Sequence, residues 1–418
     1  MSEWAYRRIR DLLNTSYAGE WGDPPSPGNA RVLRATDIDS DGRINGQGAL
    51  RQISPAAVQT KRLQHGDIML EASGGRPEKP VGRVAFFAAQ HSDGPFLTSN
   101  FYKTLRPAGD VDPRFLHWAL LRFYRQPDIL QYQQQTTGII NLKFQDYLDA
   151  KVRSPVARNE QNLIADILDT LDTQIQKTEA LIAKLEKVKE GLLHDLLTRG
   201  IDENGQLRPS PEQAPELYKD SPLGLIPREW LIKEIQSICA LGRGRVISQG
   251  YLDAHPGPYP VYSSQTKNDG VFGRVNDFDF EGPHVTWTTD GANAGTVTYR
   301  EGRFNCTNVC GTLEARDDAI HMPFLAWALD RLTDRYVSRV GNDKLMNNVV
   351  AKMQVQIPSK NEQIRCTRSL DPIEERIQYE QWSLIKLMSQ KKALMDDLLT
   401  GRVRVTPLLE KAQAATPA

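Results

Sequence analysis

Cysteine is scarce: Cys239, Cys306, Cys310 and Cys366 are the only four in 418 residues, too few for a disulfide framework. Cys306 and Cys310 stand four apart without a matching pair, so buried thiols are expected there rather than a zinc site, and no metal is expected in the chain. No run of 18 apolar residues occurs, and the opening MSEWAYRRIRDLLN has no apolar signal core. The expectation is a cytoplasmic protein without a membrane span. Net charge is lacking too, with 52 Lys and Arg against 52 Asp and Glu. A nucleic-acid binder with this balance needs its basic groups gathered on one face, or a basic partner on the same duplex.

Catalytic signatures are also missing. There is no G-x-x-x-x-G-K-[ST] phosphate loop, no Glu-x-Lys tripeptide and no H-x-x-x-H among the seven histidines, so neither an ATP motor nor the simplest metal-dependent nuclease is indicated. Gly242-Arg243-Gly244 lacks the strand–helix setting of a nucleotide loop. His117 and His194 lie on or beside apolar helix faces and read as packing or capping groups. No catalytic residue is assigned.

What the chain does have is one stretch carried twice. Asn159-Glu160-Gln161 recurs as Asn361-Glu362-Gln363, and Asp195-Leu196-Leu197-Thr198 as Asp397-Leu398-Leu399-Thr400, both 202 residues on. A fixed-period repeat sets the architecture. In the first copy Ile164, Leu171, Thr178, Leu185 and Leu192 fall seven apart with apolar residues between them, a heptad-like stripe. About 40 residues of helix is roughly 60 Å, longer than one domain is wide, so the stripe needs a partner helix. The second copy is the only match in length. Leu171, Ile175, Leu185 and Leu192 are expected to meet Ile373, Ile377, Leu387 and Leu394 in an intramolecular seam. The second stripe is poorer, with Glu380 at a seam position, and Asp371-Pro372 predicts a restart or kink.

Before each helix the pattern is short strands and turns closing on a helix: FLHWAL at 115–120 is echoed by FLAWAL at 324–329, Glu3-Trp4 by Glu229-Trp230, and Ser99-Asn100 by Thr307-Asn308. The fold class is α+β, with two tandem α+β domains each followed by a long α-helix. Expected boundaries are a first domain at 1–155, a helix at 156–200, an exposed proline-rich linker at 201–228, a second domain at 229–358, a helix at 359–402 and a frayed tail at 403–418.

With the duplicated helix, the DLLTGR ending at 397–402, the RVLRATDIDSDGRI segment and YPVYSS in view, the chain resembles the specificity subunit of Type I restriction–modification systems. The resemblance spans nearly the whole sequence. It implies helices packed as an antiparallel coiled coil with pseudo-two-fold symmetry, and two target-recognition domains that each read half of a bipartite site in double-stranded DNA. It further implies two docked methyltransferase subunits, restriction endonuclease subunits that can join them, and no catalytic site in this chain. S-adenosylmethionine, ATP and Mg are then expected in the partner subunits, and no cofactor here.

Readout needs side chains that reach base edges, Arg to guanine, Asn or Gln to adenine and Ser or Thr to either. The first half offers Arg31, Arg34, Arg43, Arg76, Lys79, Arg83, Ser99, Asn100 and Lys103. The second offers Arg243, Arg245, Ser263, Ser264, Gln265, Lys267, Asn268, Thr288, Asn293 and Arg339. Most true contacts are expected to go to phosphate. Asp37, Asp39, Asp41 and Asp290 read as turn caps, and Trp287, Tyr259 and Tyr262 as packing residues. The competing readings are an autonomous nuclease or methyltransferase with an unrecognised site, and a coiled-coil scaffold without a DNA role.

Overall fold

A computed structural model of the chain describes residues 3–88, 94–136, 138–265 and 267–408. It divides into two compact units, Met1–Glu179 with Trp382–Ala418, and Ala180–Gln381. The cuts fall in the middle of two long helices, Arg158–Thr198 and Lys360–Leu398. Each unit is therefore an α+β domain together with half of each helix, rather than a domain with its own following helix.

In the first unit, strands Leu13–Ala18, Tyr102–Pro107, Ile68–Glu71 and Val84–Phe86 lie side by side in that order as an antiparallel sheet. A second sheet sets Ala30–Leu33 parallel to Phe96–Thr98 and antiparallel to Ala49–Arg51. The entering strand Trp4–Arg8 pairs with the leaving strand Lys151–Pro155, which closes the domain just before the helix. The second unit repeats this plan. Cys239–Arg243, Cys310–Ala315, His284–Thr288 and Val297–Arg300 form the first sheet, Tyr259–Tyr262 runs parallel to Arg303–Cys306, and Leu231–Glu234 closes against Gln354–Ile357. The first unit adds a hairpin, Gln133–Thr136 with Ile139–Leu142, extended by Ser73–Gly75.

The FLHWAL and FLAWAL segments sit in helices Pro113–Tyr124 and Met322–Thr333. Pro near the first turn costs no hydrogen bond in either helix, and Asp112 caps the first through the amides of Arg114 and Phe115. Their apolar faces bury Phe115, Leu116 and Leu120 in one unit and Leu325, Ala326 and Leu329 in the other. At roughly 1.5–3 kcal/mol per fully buried large apolar side chain, these faces fix the helices on their sheets.

The long helices pack antiparallel within each unit. In the first, Ile164, Ala165 and Leu168 share one core with Met395, Leu398 and Leu399, while Asp172 meets Lys391. In the second, Leu196 and Leu197 share a core with Cys366 and Leu370, while Lys189 meets Glu374. Rising numbers on one helix meet falling numbers on the other. Of the expected seam, Leu171, Ile175 and Ile377 are buried, and Leu185, Leu192, Ile373, Leu387 and Leu394 are half-buried.

Three expectations change. The second helix does not restart at Asp371-Pro372; it runs unbroken from Lys360 to Leu398. Pro372 leaves one carbonyl without its helical amide, yet buried Leu370 and Ile377 hold the turns on either side. Glu380 at the seam is buried and answered by Arg376 one turn earlier. The proline-rich linker is not simply exposed, because Ile201, Tyr218 and Ile226 are buried and the Tyr218 hydroxyl donates to the Pro209 carbonyl. The tail is likewise anchored at its start. Val405 is buried in the first unit's core and Arg404 bonds Glu160, whereas residues 409–418 lie outside the described part. Among the described residues no helix is long and apolar enough to cross a membrane.

Candidate nucleic-acid interface and its anchors

In the second unit the polar residues singled out by sequence gather on a rim of loops bonded to one another. The Ser263 hydroxyl bonds Thr307 at 3.2 Å, and the Asn293 amide donates to the Ser264 carbonyl at 2.8 Å. Arg243 donates to the Asn308 carbonyl and pairs with Asp290. Gln265 bonds the Val271 carbonyl, Asn268 is exposed, and Arg339 reaches Asp334 and Asp343. The Lys267 side chain lies outside the described part. In the first unit Arg34, Arg76, Lys79 and Asn100 are exposed, and Arg31 and Lys103 are half-exposed. Arg34 is chelated by Asp37, which in turn caps the turn at Ala35–Asp37. Asp39 accepts the amides of Asp41 and Arg43, so these aspartates are turn caps. Among the described residues no group of three or more His, Cys, Asp or Glu could hold a metal ion.

Several candidates are not free to read bases. Arg83 is 2 % exposed and its guanidinium is enclosed by Glu71, the carbonyls of Ala35, Ile38 and Asp39, and the Tyr102 hydroxyl. Arg43 turns to the long helix, bonding Asp172 at 3.0 Å and Glu179 at 2.8 Å. Arg245 is held by Asp277 and Asp279 over the Tyr251 ring. Ser99 and Thr288 are buried. For the three arginines a carboxylate or carbonyl claims the group that was expected to meet DNA, and for Ser99 and Thr288 burial removes it from the surface.

The repeated tripeptide explains itself once the contacts are seen. Gln161 accepts the Asp112 amide and donates to the Pro155 carbonyl; Gln363 accepts the His321 amide and donates to the Pro358 carbonyl. Both glutamines are fully buried and staple the start of a long helix to its domain. The preceding glutamates are buried ions with arginine partners, Glu160 with Arg404 and Glu362 with Arg208. Gly401 and Gly200, just past the other helix end, both take positive φ (69° and 67°), and a side chain on either would strike Trp4 or Trp230. Each unit thus locks the start of one long helix to the end of the other.

A second matched set was missed by sequence reasoning. Lys391 lies over the Trp118 ring at 4.7 Å and bonds Asp172; Lys189 lies over the Trp327 ring at 4.6 Å and bonds Glu374. The two lysines, and the two acids, are again 202 residues apart, and that offset was the available signal. Each set borders an open cleft between domain and helix, of about 410 Å³ beside Trp118 and about 440 Å³ beside Trp327. Burial opposes ionisation of Asp172, but hydrogen bonds from Arg43 and Lys391 hold its pKa below the ordinary carboxylate value. In the other cleft burial raises the Asp330 carboxyl. His117, on the floor of the first cleft, is pushed down to about 3 by burial, with Lys391 adding to the shift.

Each unit is an α+β domain with exposed polar loop residues, stapled in the same way to the start of one long helix and the end of the other, which defines a duplicated, two-domain class of protein. The model of the Type I restriction modification DNA specificity domain matches residues 1–187 and 227–388, and the chain belongs to that family, whose role is sequence specificity toward DNA. Among similar proteins, a candidate type I specificity subunit of Mycoplasma pneumoniae, described by its N-terminus, is 46% identical over 139 residues, 33% of this chain and 74% of that one. The Type I restriction enzyme MpnII specificity subunit of the same organism is 39% identical over 126 residues, 30% of this chain and 38% of that one. The match with MpnII thus spans well under half of that relative's length. A solved S subunit of a Type I restriction–modification system from M. genitalium superposes with a TM-score of 0.65 at 18% identity, covering 95% of this chain and 96% of that one, and supports the fold.

Proposed function

We propose that each unit reads one half of a bipartite site in double-stranded DNA, that the helices set the gap, and that methyltransferase subunits dock on this chain to supply the chemistry. Restriction subunits can join the same assembly. S-adenosylmethionine, ATP and Mg belong to those partners in this reading. The carrying observation is the duplicated anchor set, because identical staples with different loop rims suit two readers of different sequences. Arg31, Arg34, Arg76, Lys79, Asn100 and Lys103 in the first unit, and Arg243, Ser263, Ser264, Gln265, Asn268, Asn293 and Arg339 in the second, are the proposed DNA-facing groups. Helices of 41 and 39 residues are about 60 Å long. With one base pair per roughly 3.4 Å, half-site centres can stand no more than about 17 base pairs apart. Partner docking finds support in Trp382, Ile385 and Met388, which leave 61 %, 67 % and 49 % of their surface exposed on the second helix, an unusual apolar row for a free surface.

Coexpression with its methyltransferase subunits, followed by genome-wide mapping of methylated bases, tests the reading. A motif of two specified halves around an unspecified gap is expected. Methylation or cleavage by the chain alone would replace the reading with that of an autonomous enzyme, and binding indifferent to salt and sequence would leave only a scaffold.

A further inference from the structure

Arg300 ends strand Val297–Arg300 and is 8 % exposed. Its guanidinium lies 3.7 Å from the Tyr262 ring centroid, at the end of the neighbouring sheet's parallel strand. From there it donates to the Asp269 carboxylate at 2.8 Å and to the Asp269 carbonyl at 2.9 Å. The backbone it grips is unusual: Asn268, Asp269 and Gly270 are consecutive residues at φ of 52°, 52° and 76°. Glycine takes that region freely and Asn or Asp tolerate it singly, but a run of left-handed residues does not sustain itself. A fork that fixes the side chain and carbonyl of one residue together is what can hold it there.

The grip passes directly to the rim. The Ser263 amide donates to the Gly270 carbonyl, closing the loop at its base. Ser263 then bonds Thr307, and Ser264 takes the Asn293 amide. We propose that Arg300 is a positioning residue for readout: it holds the left-handed Asn268–Gly270 turn, to which Ser263 is bonded, and so sets the base preference of the second unit, without touching DNA. Arg83 stands in the corresponding relation to the first unit, where it gathers the carbonyls of Ala35, Ile38 and Asp39 in the loop after the matching parallel strand. The inference rests on the proposed reading of bipartite DNA.

The test uses the full chain assembled with its methyltransferase subunits, mapping methylated sites for wild type, Arg300→Lys, Arg300→Met and Arg83→Lys. Lysine keeps the charge but cannot supply the fork. Both Arg300 variants are expected to keep one half-site and the gap while discrimination at one or more positions of the other half falls roughly ten-fold. Arg83→Lys is expected to relax the opposite half. An unchanged motif in both Arg300 variants overturns the inference. Loss of methylation at every site in both overturns it as well, because the arginine then holds the fold rather than the choice of base. A wild-type assembly without a bipartite motif defeats the underlying reading instead, before any variant is made.

Discussion

The two domain–helix junctions are built from the same parts and differ in their neighbours. In the first unit Asp172 is shared between Lys391 and Arg43, and Arg43 also reaches Glu179. In the second, Glu374 is met by Lys189. His117 packs beside Trp118, whereas Ala326 precedes Trp327 in the matching helix. What recurs is the lysine on tryptophan with an acid, the glutamine staple and the buried glutamate. What varies is the charges around the acid, where Arg43 joins only in the first unit, and the loops. Orientation on the helices is the common requirement, and the faces beyond it are free to diverge.

The largest expected effect tests the buried glutamates. Glu362→Ala removes the buried carboxylate of Arg208, which is only 11 % exposed and keeps just the exposed Glu229 and the Arg199 carbonyl, and should cost about 3 kcal/mol. Glu160→Ala removes the carboxylate that pairs with Arg404, which at 33 % exposure can turn to water, so its loss should be clearly smaller. Urea unfolding of both variants checks the order, and equal losses would break the comparison.

Next is pH. His117 is held near pKa 3 in the folded chain, against about 6.5 unfolded. Between those values the unfolded chain binds the extra proton, so this contribution to stability is full above pH 6.5 and is lost as pH falls toward 3, at up to about 1.4 kcal/mol per pH unit. His117→Ala, which copies Ala326, should flatten that part of the stability–pH curve; an unchanged slope would show that His117 is not the titrating group.

Smaller again are the lysines. Lys391→Met should destabilise by about 1–2 kcal/mol, and Lys189→Met by less, since Lys391 is the more buried of the two. Thermal unfolding of the two variants would show whether the Arg43-supported junction depends more on its lysine. The smallest effect on folding, within about 0.5 kcal/mol, is expected for exposed Trp382→Ala. It should instead weaken methyltransferase association on titration, and unaltered association would remove Trp382 from the docking surface.

Much of this plan is legible in the sequence because the anchors are local and identical. Asn-Glu-Gln and Asp-Leu-Leu-Thr recur in register since Gln161 and Gln363 meet equivalent backbone groups and the paired leucines enter equivalent cores. The gapless offset nevertheless hides one pair: Gly200 and Gly401 do the same work 201 residues apart, because Arg and Gly change order in the two endings. Lys189 and Lys391 stand at the repeat offset in the sequence, but their stacking on tryptophan is a tertiary contact that spacing alone does not disclose. Arg83 shows the opposite error. An arginine inside the apolar run Val81–Phe87 invites a functional reading, while its burial depends on carbonyls that only the folded loop presents. Pro372 likewise predicts a break that packing on both sides overrides.

In the proposed function the paired helices act as a spacer between two readers. One heptad inserted after Glu179 and another after Gln381, where both helices pass from one unit to the other, adds roughly 10 Å, or about 3 base pairs of DNA. Methylation mapping of the assembled variant should return both half-sites unchanged with a gap about 3 base pairs longer. The same half-sites at the wild-type gap would contradict the account.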